Sequence, residues 1–122
     1  MQAETDKVVI VITRGIESDL SSAAFAVANG GLTAGMKVSV FLTSTAIDLV
    51  RRGGHGVTQA APFKPLRELI ENFQKRGGTI WVCPPGAEAR GYGKDDLIDG
   101  VVIAGSSAIF GEIKQGAATL SF

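Results

Sequence analysis

The sequence predicts an α/β domain of three layers, in which a five-stranded, mainly parallel sheet has helices on both faces. Short apolar runs alternate with segments of helical spacing along the whole chain, and 16 glycines separate them one or two at a time. At 122 residues the chain is long enough to bury a core without disulfide or metal crosslinks. We therefore expect a single domain over residues 1–122.

The charge balance excludes several classes of partner. Twelve basic and twelve acidic residues cancel, so no overall field attracts nucleic acid or an anionic membrane. One cysteine cannot form an internal disulfide, and the acidic N-terminal segment is unlike the basic-then-apolar order of a secretory signal. No stretch approaches the roughly 20 apolar residues that span a bilayer. We expect a cytoplasmic protein without nucleic-acid or membrane partners.

The first strand is expected over residues 8–13, a continuous β-branched run typical of a strand covered on both faces. Ser18 or Asp19 can cap the helix that follows, and Gly35 is expected to end it. This helix is indicated by small and apolar residues at helical spacing, namely Leu20, Ala23, Ala24, Val27 and Ala28.

Residues 36–43 form the second predicted strand, after which Ser44 or Thr45 is expected to cap a short helix to about Arg52. Residues 53–61 have no helical or strand period and make the longest irregular segment. Long loops inside compact domains are usually functional or mobile, so this segment is of interest for the site.

The clearest predicted helix follows Pro65, with apolar residues at positions i, i+3, i+4 and i+7: Leu66, Leu69, Ile70 and Phe73. Gly77 is expected to end it. The third strand, over residues 79–83, brings Cys83 to its C-terminal end, and a short helical piece over residues 87–90 follows.

The last part of the chain predicts two more strands with a helix between them. The fourth strand is expected over residues 101–104, and the fifth over residues 117–122. Ser106 or Ser107 is positioned to cap the intervening helix. Strands and helices that alternate in this way predict parallel strands joined by right-handed crossovers.

The predicted site is the edge at which the strands end. The carboxyl ends of parallel strands lie together, and open α/β domains bind ligands there. The residues that this arrangement could bring to one crevice are Arg14, Thr43, His55 and Cys83.

Cys83 has two interpretations that the sequence leaves open. Cysteine is among the residue types most often buried and inert. Its place at a strand end instead favours partial exposure, and the following Pro84 and Pro85 have no N–H groups to donate. A helix that begins near Gly86 would favour a thiolate through its N-terminal dipole.

The other candidate residues also have two interpretations each. His55 either is an inert loop histidine or acts as an acid, a base or a polar lid near Cys83. Arg14 and Arg90 either bind an anionic sulfur species or are solvated. One histidine and one cysteine fall short of the three or four protein ligands of zinc, so no metal site is expected.

No cofactor motif is present in the sequence. Residues 53–56 are rich in glycine but lack the Gly-Lys-Ser/Thr ending of a phosphate loop. Residues 13–16 open the first helix without the glycine-rich dinucleotide fingerprint. We therefore expect no nucleotide cofactor.

Several motifs along the chain together resemble the DsrE/DsrF-like family of small sulfur-relay proteins, in the branch sometimes labelled peroxiredoxin-like. The similarity spans nearly the whole sequence. The matching segments are residues 25–31 (FAVANGG), 40–43 (VFLT), 77–83 (GGTIWVC), 89–91 (ARG), 96–100 (DLIDG) and 118–122 (ATLSF).

This resemblance implies a parallel, five-stranded, flavodoxin-like domain that forms ring-like homo-oligomers, commonly trimers or hexamers. It implies a cysteine that carries sulfur as a persulfide, which by position is Cys83. Sulfur-donor and sulfur-acceptor proteins are the implied partners, and no cofactor comes with the family. In this mechanism the thiolate accepts a sulfur atom from a donor and passes it to a partner thiol.

The chain departs from the resemblance at Gly86, where many relatives in this branch have a second cysteine. Without that thiol, a dithiol reductase or a two-cysteine peroxidase cannot work alone. Three hypotheses follow: a sulfur carrier with a reactive Cys83, an oligomeric scaffold with an inert Cys83, and a one-cysteine peroxidase or reductase that needs an external thiol.

Overall fold

The computed structural model describes residues 5–53 and 65–122, and it confirms the predicted α/β class. The strands are β1 (Lys7–Ile12), β2 (Lys37–Leu42), β3 (Thr79–Val82), β4 (Val102–Ile103) and β5 (Ala118–Ser121). The α-helices are α1 (Asp19–Thr33), α2 (Leu66–Lys75), α3 (Pro84–Ala89) and α4 (Ser107–Lys114), with 3-10 helices at Ser44–Val50 and Lys94–Asp96.

The five strands form one parallel sheet in the order β4-β3-β2-β1-β5. The chain steps in one direction from β1 to β4 and then returns across the sheet to β5. Because crossovers between parallel strands are right-handed, α1, α2 and α3 lie on one face and α4 on the other. The side chain of Lys7 on β1 contacts α4 and its C-terminal end, since its Nζ lies 3.5 Å from Glu112 Oε2 and donates to Gln115 Oε1. These contacts confirm the position of α4.

The core lies between the sheet and the face of α1 and α2. Alternate residues of β1 and β2 point into it, together with the apolar stripe that the sequence predicts on α2. Phe25 of α1 and Phe73 of α2 meet edge to face, with ring centroids 5.9 Å apart. The buried Asn29 joins the two helices by donating from its Nδ2 to the Leu69 carbonyl at 3.0 Å.

The predicted elements are all present, with differences at their ends. Ser18 caps α1 as expected, because its hydroxyl accepts from the Leu20 N–H. The prediction of Ser44 or Thr45 as the next cap is wrong, since Thr43 is the cap residue and makes no side-chain cap bond. A further difference is that α3 begins at Pro84, directly after the cysteine, because the fixed φ of proline suits a first helical turn.

The region that the sequence predicts as the longest irregular segment, residues 53–61, falls almost wholly outside the described residues. His55 belongs to it and has no structural description. Within residues 5–53 and 65–122, no helix has both the length and the hydropathy that a membrane crossing requires.

Candidate functional site

Cys83 directly follows β3 and is the residue before the first turn of α3. Its N–H donates to the Leu42 carbonyl at 3.0 Å, which extends the pairing of β3 with β2 by one residue. The side chain is half-buried and packs against the edge of the core. The hydrogen-bonded backbone therefore holds Cys83 in place, and the residue as a whole is partly accessible.

The thiol lies at the carboxyl end of the sheet, where the connections of two adjacent strands diverge. The chain leaves β3 toward the face of α1 and α2, whereas it leaves the neighbouring β4 toward the face of α4. The two strands stay paired up to this point, since the Ala104 N–H donates to the Val82 carbonyl at 3.1 Å. Adjacent strands whose connections diverge in this way form the usual ligand crevice of an open α/β sheet.

Gly86 faces both the cysteine and a core side chain. A Cβ atom built on Gly86 would lie 3.7 Å from Cys83 Cβ and 3.9 Å from Cys83 Sγ. It would also lie only 2.5 Å from Ile47 Cδ1. The buried Ile47 therefore occupies the space that a side chain at position 86 needs, and it does so next to the thiol.

The predicted site residues are distributed unevenly around Cys83. Thr43 directly follows β2, the strand next to β3, so it lies one strand away from Cys83. It is half-buried. Arg14 follows β1, two strands from β3, and its side chain is exposed. At about 4.8 Å per strand this separates the two backbones by roughly 10 Å. His55 lies outside the described residues.

Arg90 ends α3, and its side chain is directed toward the 3-10 helix after β2. Its Nε donates to the Ser44 carbonyl at 3.2 Å and lies 3.8 Å from Asp48 Oδ1. Ser44 has a left-handed backbone, with φ at 56°, which is uncommon outside glycine. The hydrogen bond to Ser44 and the ion pair with Asp48 therefore hold α3 against the end of β2.

Arg90, Asp48 and Tyr92 together form a clamp that holds α3 against the 3-10 helix after β2. The sequence prediction did not include Asp48 or Tyr92. The Tyr92 hydroxyl donates to Asp48 Oδ1 at 2.7 Å. This hydrogen bond, followed by partial burial, raises the pKa of Tyr92 above its ordinary value. The two residues are 44 positions apart, so no local pattern in the sequence indicates the contact.

Glu17 closes the loop after β1 at the same sheet edge. Its carboxylate accepts from the Gly15 N–H at 3.2 Å and from the Thr45 hydroxyl at 3.3 Å. The pKa of Glu17 is lowered, first by the hydrogen bond from its own backbone N–H and then by the bond from Gly15. The ionised carboxylate therefore joins the ends of β1 and β2.

This arrangement predicts an acid-dependent contribution to stability from Glu17. Because its folded-state pKa is depressed, the contribution is present above the ordinary glutamate pKa of about 4.3 and is lost as the pH falls through the folded-state value. We expect Glu17→Gln to be less stable than wild type at neutral pH, and the difference to fade in acid. Urea denaturation at both pH values measures this. A difference that is independent of pH would contradict the assignment.

The fold and the site define a class: a parallel α/β domain with a single thiol at the end of an inner strand. The model of the DsrE/DsrF-like family matches residues 6–122, so the chain belongs to this family. This confirms the resemblance that the sequence motifs indicate.

Two relatives from Methanocaldococcus jannaschii are similar to the chain. The uncharacterized protein MJ0760 is 28% identical over 102 residues, which are 83% of this chain and 37% of that protein. The chain thus spans well under half the length of this relative. The uncharacterized protein MJ0989 is 25% identical over 119 residues, which are 95% of this chain and 99% of that protein.

Solved structures show the same fold at low sequence identity. The ychN protein from E. coli superimposes with a TM-score of 0.77 at 18% identity, covering 98% of this chain and all of that one. The protein MTH1491 from Methanobacterium thermoautotrophicum has a TM-score of 0.74 at 16% identity, with the same coverage. These similarities establish the architecture.

Proposed function

We propose that the protein is a sulfur carrier of the sulfurtransferase type, which holds sulfur as a persulfide on Cys83 and passes it to a partner thiol. The observation that supports this best is the half-buried Cys83 at the end of β3, where the connections of β3 and β4 diverge. Membership of a family associated with sulfur relay supports the same chemistry. The free thiol suits a cytoplasmic location, where reducing conditions preserve it.

The proposed transfer is an exchange at sulfur that needs no oxidant. The Cys83 thiolate attacks the outer sulfur of a donor persulfide, so that a new S–S bond forms while the donor S–S bond breaks. The donor leaves as a thiolate, and the outer sulfur keeps its proton. An acceptor thiolate then attacks the same outer sulfur, so that a new S–S bond forms to the acceptor and the S–S bond to Cys83 breaks. Cys83 leaves as a thiolate and is ready for another cycle.

The residues around the thiol are proposed to shape the crevice. Thr43 lines its β2 side by position, and the clamp of Arg90 on Ser44 fixes the helix that follows Cys83. Arg14 and His55 remain candidates for binding an anionic donor. We further propose that the chain works as a homo-oligomer, a trimer or hexamer, with separate sulfur-donor and sulfur-acceptor proteins.

Intact-protein mass spectrometry after exposure to polysulfide tests the carrier function. Because the chain has one cysteine, every gain of sulfur reports on Cys83. We expect wild type to gain one sulfur atom that a small thiol removes, and Cys83→Ser to gain none. The carrier hypothesis fails if native wild type gains no sulfur while the same protein, denatured, is alkylated at its thiol.

The packing of Cys83 against the core also supports a second candidate, a scaffold with an inert thiol. It predicts slow alkylation of the native protein and unchanged partner binding in Cys83→Ser. A peroxide arm of the same experiment covers the remaining hypothesis, since a one-cysteine peroxidase would form sulfenic acid at Cys83.

A further inference from the structure

Two adjacent residues of the 3-10 helix after β2 contact opposite ends of α3. Ile47 lies at the first turn of α3, where its Cδ1 is 2.5 Å from the position of a Cβ built on Gly86. Asp48 lies beyond the last turn, where its Oδ1 accepts from the Tyr92 hydroxyl at 2.7 Å. Because α3 has only six residues, these two contacts together fix both of its ends.

Cys83 is the residue on which both contacts act. It directly precedes α3, and its carbonyl accepts from the Ala87 N–H at 3.0 Å, so the first turn of the helix is bonded to it. The Cβ built on Gly86 would lie 3.9 Å from Cys83 Sγ, on the side that Ile47 closes. A movement of α3 relative to Ile47 therefore changes the packing around the thiol.

Tyr92 transmits the contact with Asp48 because its backbone is bonded to α3. Its N–H donates to the Ala87 carbonyl at 2.9 Å, which is in the middle of the helix. Arg51 lies over the ring of Tyr92, with Cζ 5.9 Å from the centroid. The hydrogen bond to Asp48 raises the pKa of Tyr92, so the hydroxyl stays protonated and remains a donor at neutral pH.

The clamp lies at the surface of the domain, and the main core does not depend on it. The side chains of Asp48 and Arg90 are 34% and 27% exposed. Within α3 only Ala87 is buried, whereas the core is formed mainly by β1, β2, α1 and α2. Regions with few buried apolar contacts open locally at a lower free energy than the whole domain. Loss of the clamp is therefore expected to free α3 while the rest of the domain stays folded.

From these contacts we infer that Asp48 is a positioning residue for the proposed sulfur site. Through its hydrogen bond with Tyr92 it holds α3 against Ile47, and this restricts Cys83 to slender reaction partners. This role deepens the proposed function and rests on it only for Cys83 as the reacting group.

The Tyr92 hydrogen bond carries this role, rather than the ion pair with Arg90. The distance of 2.7 Å from the Tyr92 hydroxyl to Asp48 Oδ1 is that of a well-formed O–H···O bond. Arg90 Nε is 3.8 Å from the same oxygen, and it has the Ser44 carbonyl as an acceptor at 3.2 Å. Arg90 therefore keeps its hydrogen bond when Asp48 is replaced.

Two maleimides of different size measure the restriction at Cys83. N-ethylmaleimide and fluorescein maleimide react by the same chemistry, and the chain has one thiol. In Tyr92→Phe and in Asp48→Ala, the ratio of the large-reagent to the small-reagent rate constant is expected to rise about tenfold, because a hydrogen bond to a charged acceptor no longer favours the closed position of α3. Urea denaturation verifies that each variant folds.

Two further variants separate positioning from a general loss of stability. Asp48→Asn keeps an oxygen that accepts from the Tyr92 hydroxyl, so its ratio is expected to stay within about twofold of wild type. Asp99→Asn is the matched control, since it removes an ion pair with Arg52 that does not involve α3. The double variant of Tyr92→Phe with Asp48→Ala should equal either single one, because both changes remove the same bond.

An unchanged ratio in folded Tyr92→Phe would overturn the positioning role, as would an equal rise in Asp48→Asn or in Asp99→Asn. A purely stabilising contact would accelerate both reagents alike and leave the ratio unchanged. Polysulfide loading of wild type keeps the two proposals apart. A wild type that gains no sulfur, while the ratio rises in Tyr92→Phe, would overturn the sulfur carrier and support the positioning of Cys83.

Discussion

Replacing Gly86 with cysteine is expected to convert Cys83 from a free thiol into one half of a disulfide. A Cβ at position 86 would lie 3.7 Å from Cys83 Cβ, within the roughly 3.5–4.5 Å found between the Cβ atoms of disulfides. Oxidation by diamide should join the two thiols of the variant in a disulfide. Neither thiol should then be alkylated, and the intact mass should fall by that of two hydrogen atoms. It should then gain no sulfur from polysulfide until a reductant restores the thiols.

The obstacle to this disulfide is Ile47, whose Cδ1 atom lies 2.5 Å from the new Cβ. Overpacking of this kind costs about 1–3 kcal/mol, so Gly86→Cys alone should be less stable than wild type. Adding Ile47→Val removes the clashing methyl group and should restore stability while keeping the disulfide. The matched control is Gly86→Ala with Ile47→Val, which has the same packing and one thiol. If diamide leaves two alkylatable thiols in the folded double variant, the proposed geometry around Cys83 is wrong.

The single cysteine has a consequence for the proposed sulfur carrier. A second thiol at position 86 would compete with an acceptor protein for the sulfur on Cys83, because attack on the persulfide from within the chain is favoured by proximity. With glycine at 86 and Ile47 filling the space, sulfur held on Cys83 in the proposed carrier would leave only by transfer to another molecule. The absence of the thiol therefore suits a carrier better than a reductase.

Phe73→Ala is expected to have the largest effect on stability, a loss of about 3–5 kcal/mol. Phe73 is fully buried, meets Phe25 edge to face, and has its ring directly over Gly78, where a Cβ would collide with it. Since domains of this size are stable by roughly 5–15 kcal/mol, the change removes a large share of the total.

Urea denaturation with a common slope measures the loss. Val102→Ala is the control, because Val102 is half exposed and surface substitutions normally change stability by less than about 0.5 kcal/mol. A loss below about 1 kcal/mol in Phe73→Ala would mean that α1 and α2 do not form the core contact described above.

The clamp formed by Arg90, Asp48 and Tyr92 links stability to the proposed site. It fixes α3, and so the backbone after Cys83, to the 3-10 helix that also supplies Ile47. The backbone after Cys83 is thus held by side-chain hydrogen bonds between elements far apart in sequence. This explains how a helix of only six residues can hold a defined position.

The sequence by itself determined the elements of this protein and the kind of chemistry open to it. Helical and strand periodicity are local properties, so the α2 stripe and the β-branched run of β1 were predictable within a residue or two. The sequence also shows directly that the chain has one cysteine, which excludes an internal disulfide, and that position 86 is glycine.

Only the tertiary structure decided what surrounds that thiol. The strand order β4-β3-β2-β1-β5 makes β3 and β4 neighbours whose connections diverge, and so places Cys83 where open α/β sheets usually bind ligands. It also placed Ile47 against Gly86, joined Tyr92 to Asp48, and left β5 and α4 uncovered. These features depend on packing between segments 20 to more than 40 residues apart, and the periodicity of one segment holds no information about which distant segment will lie against it.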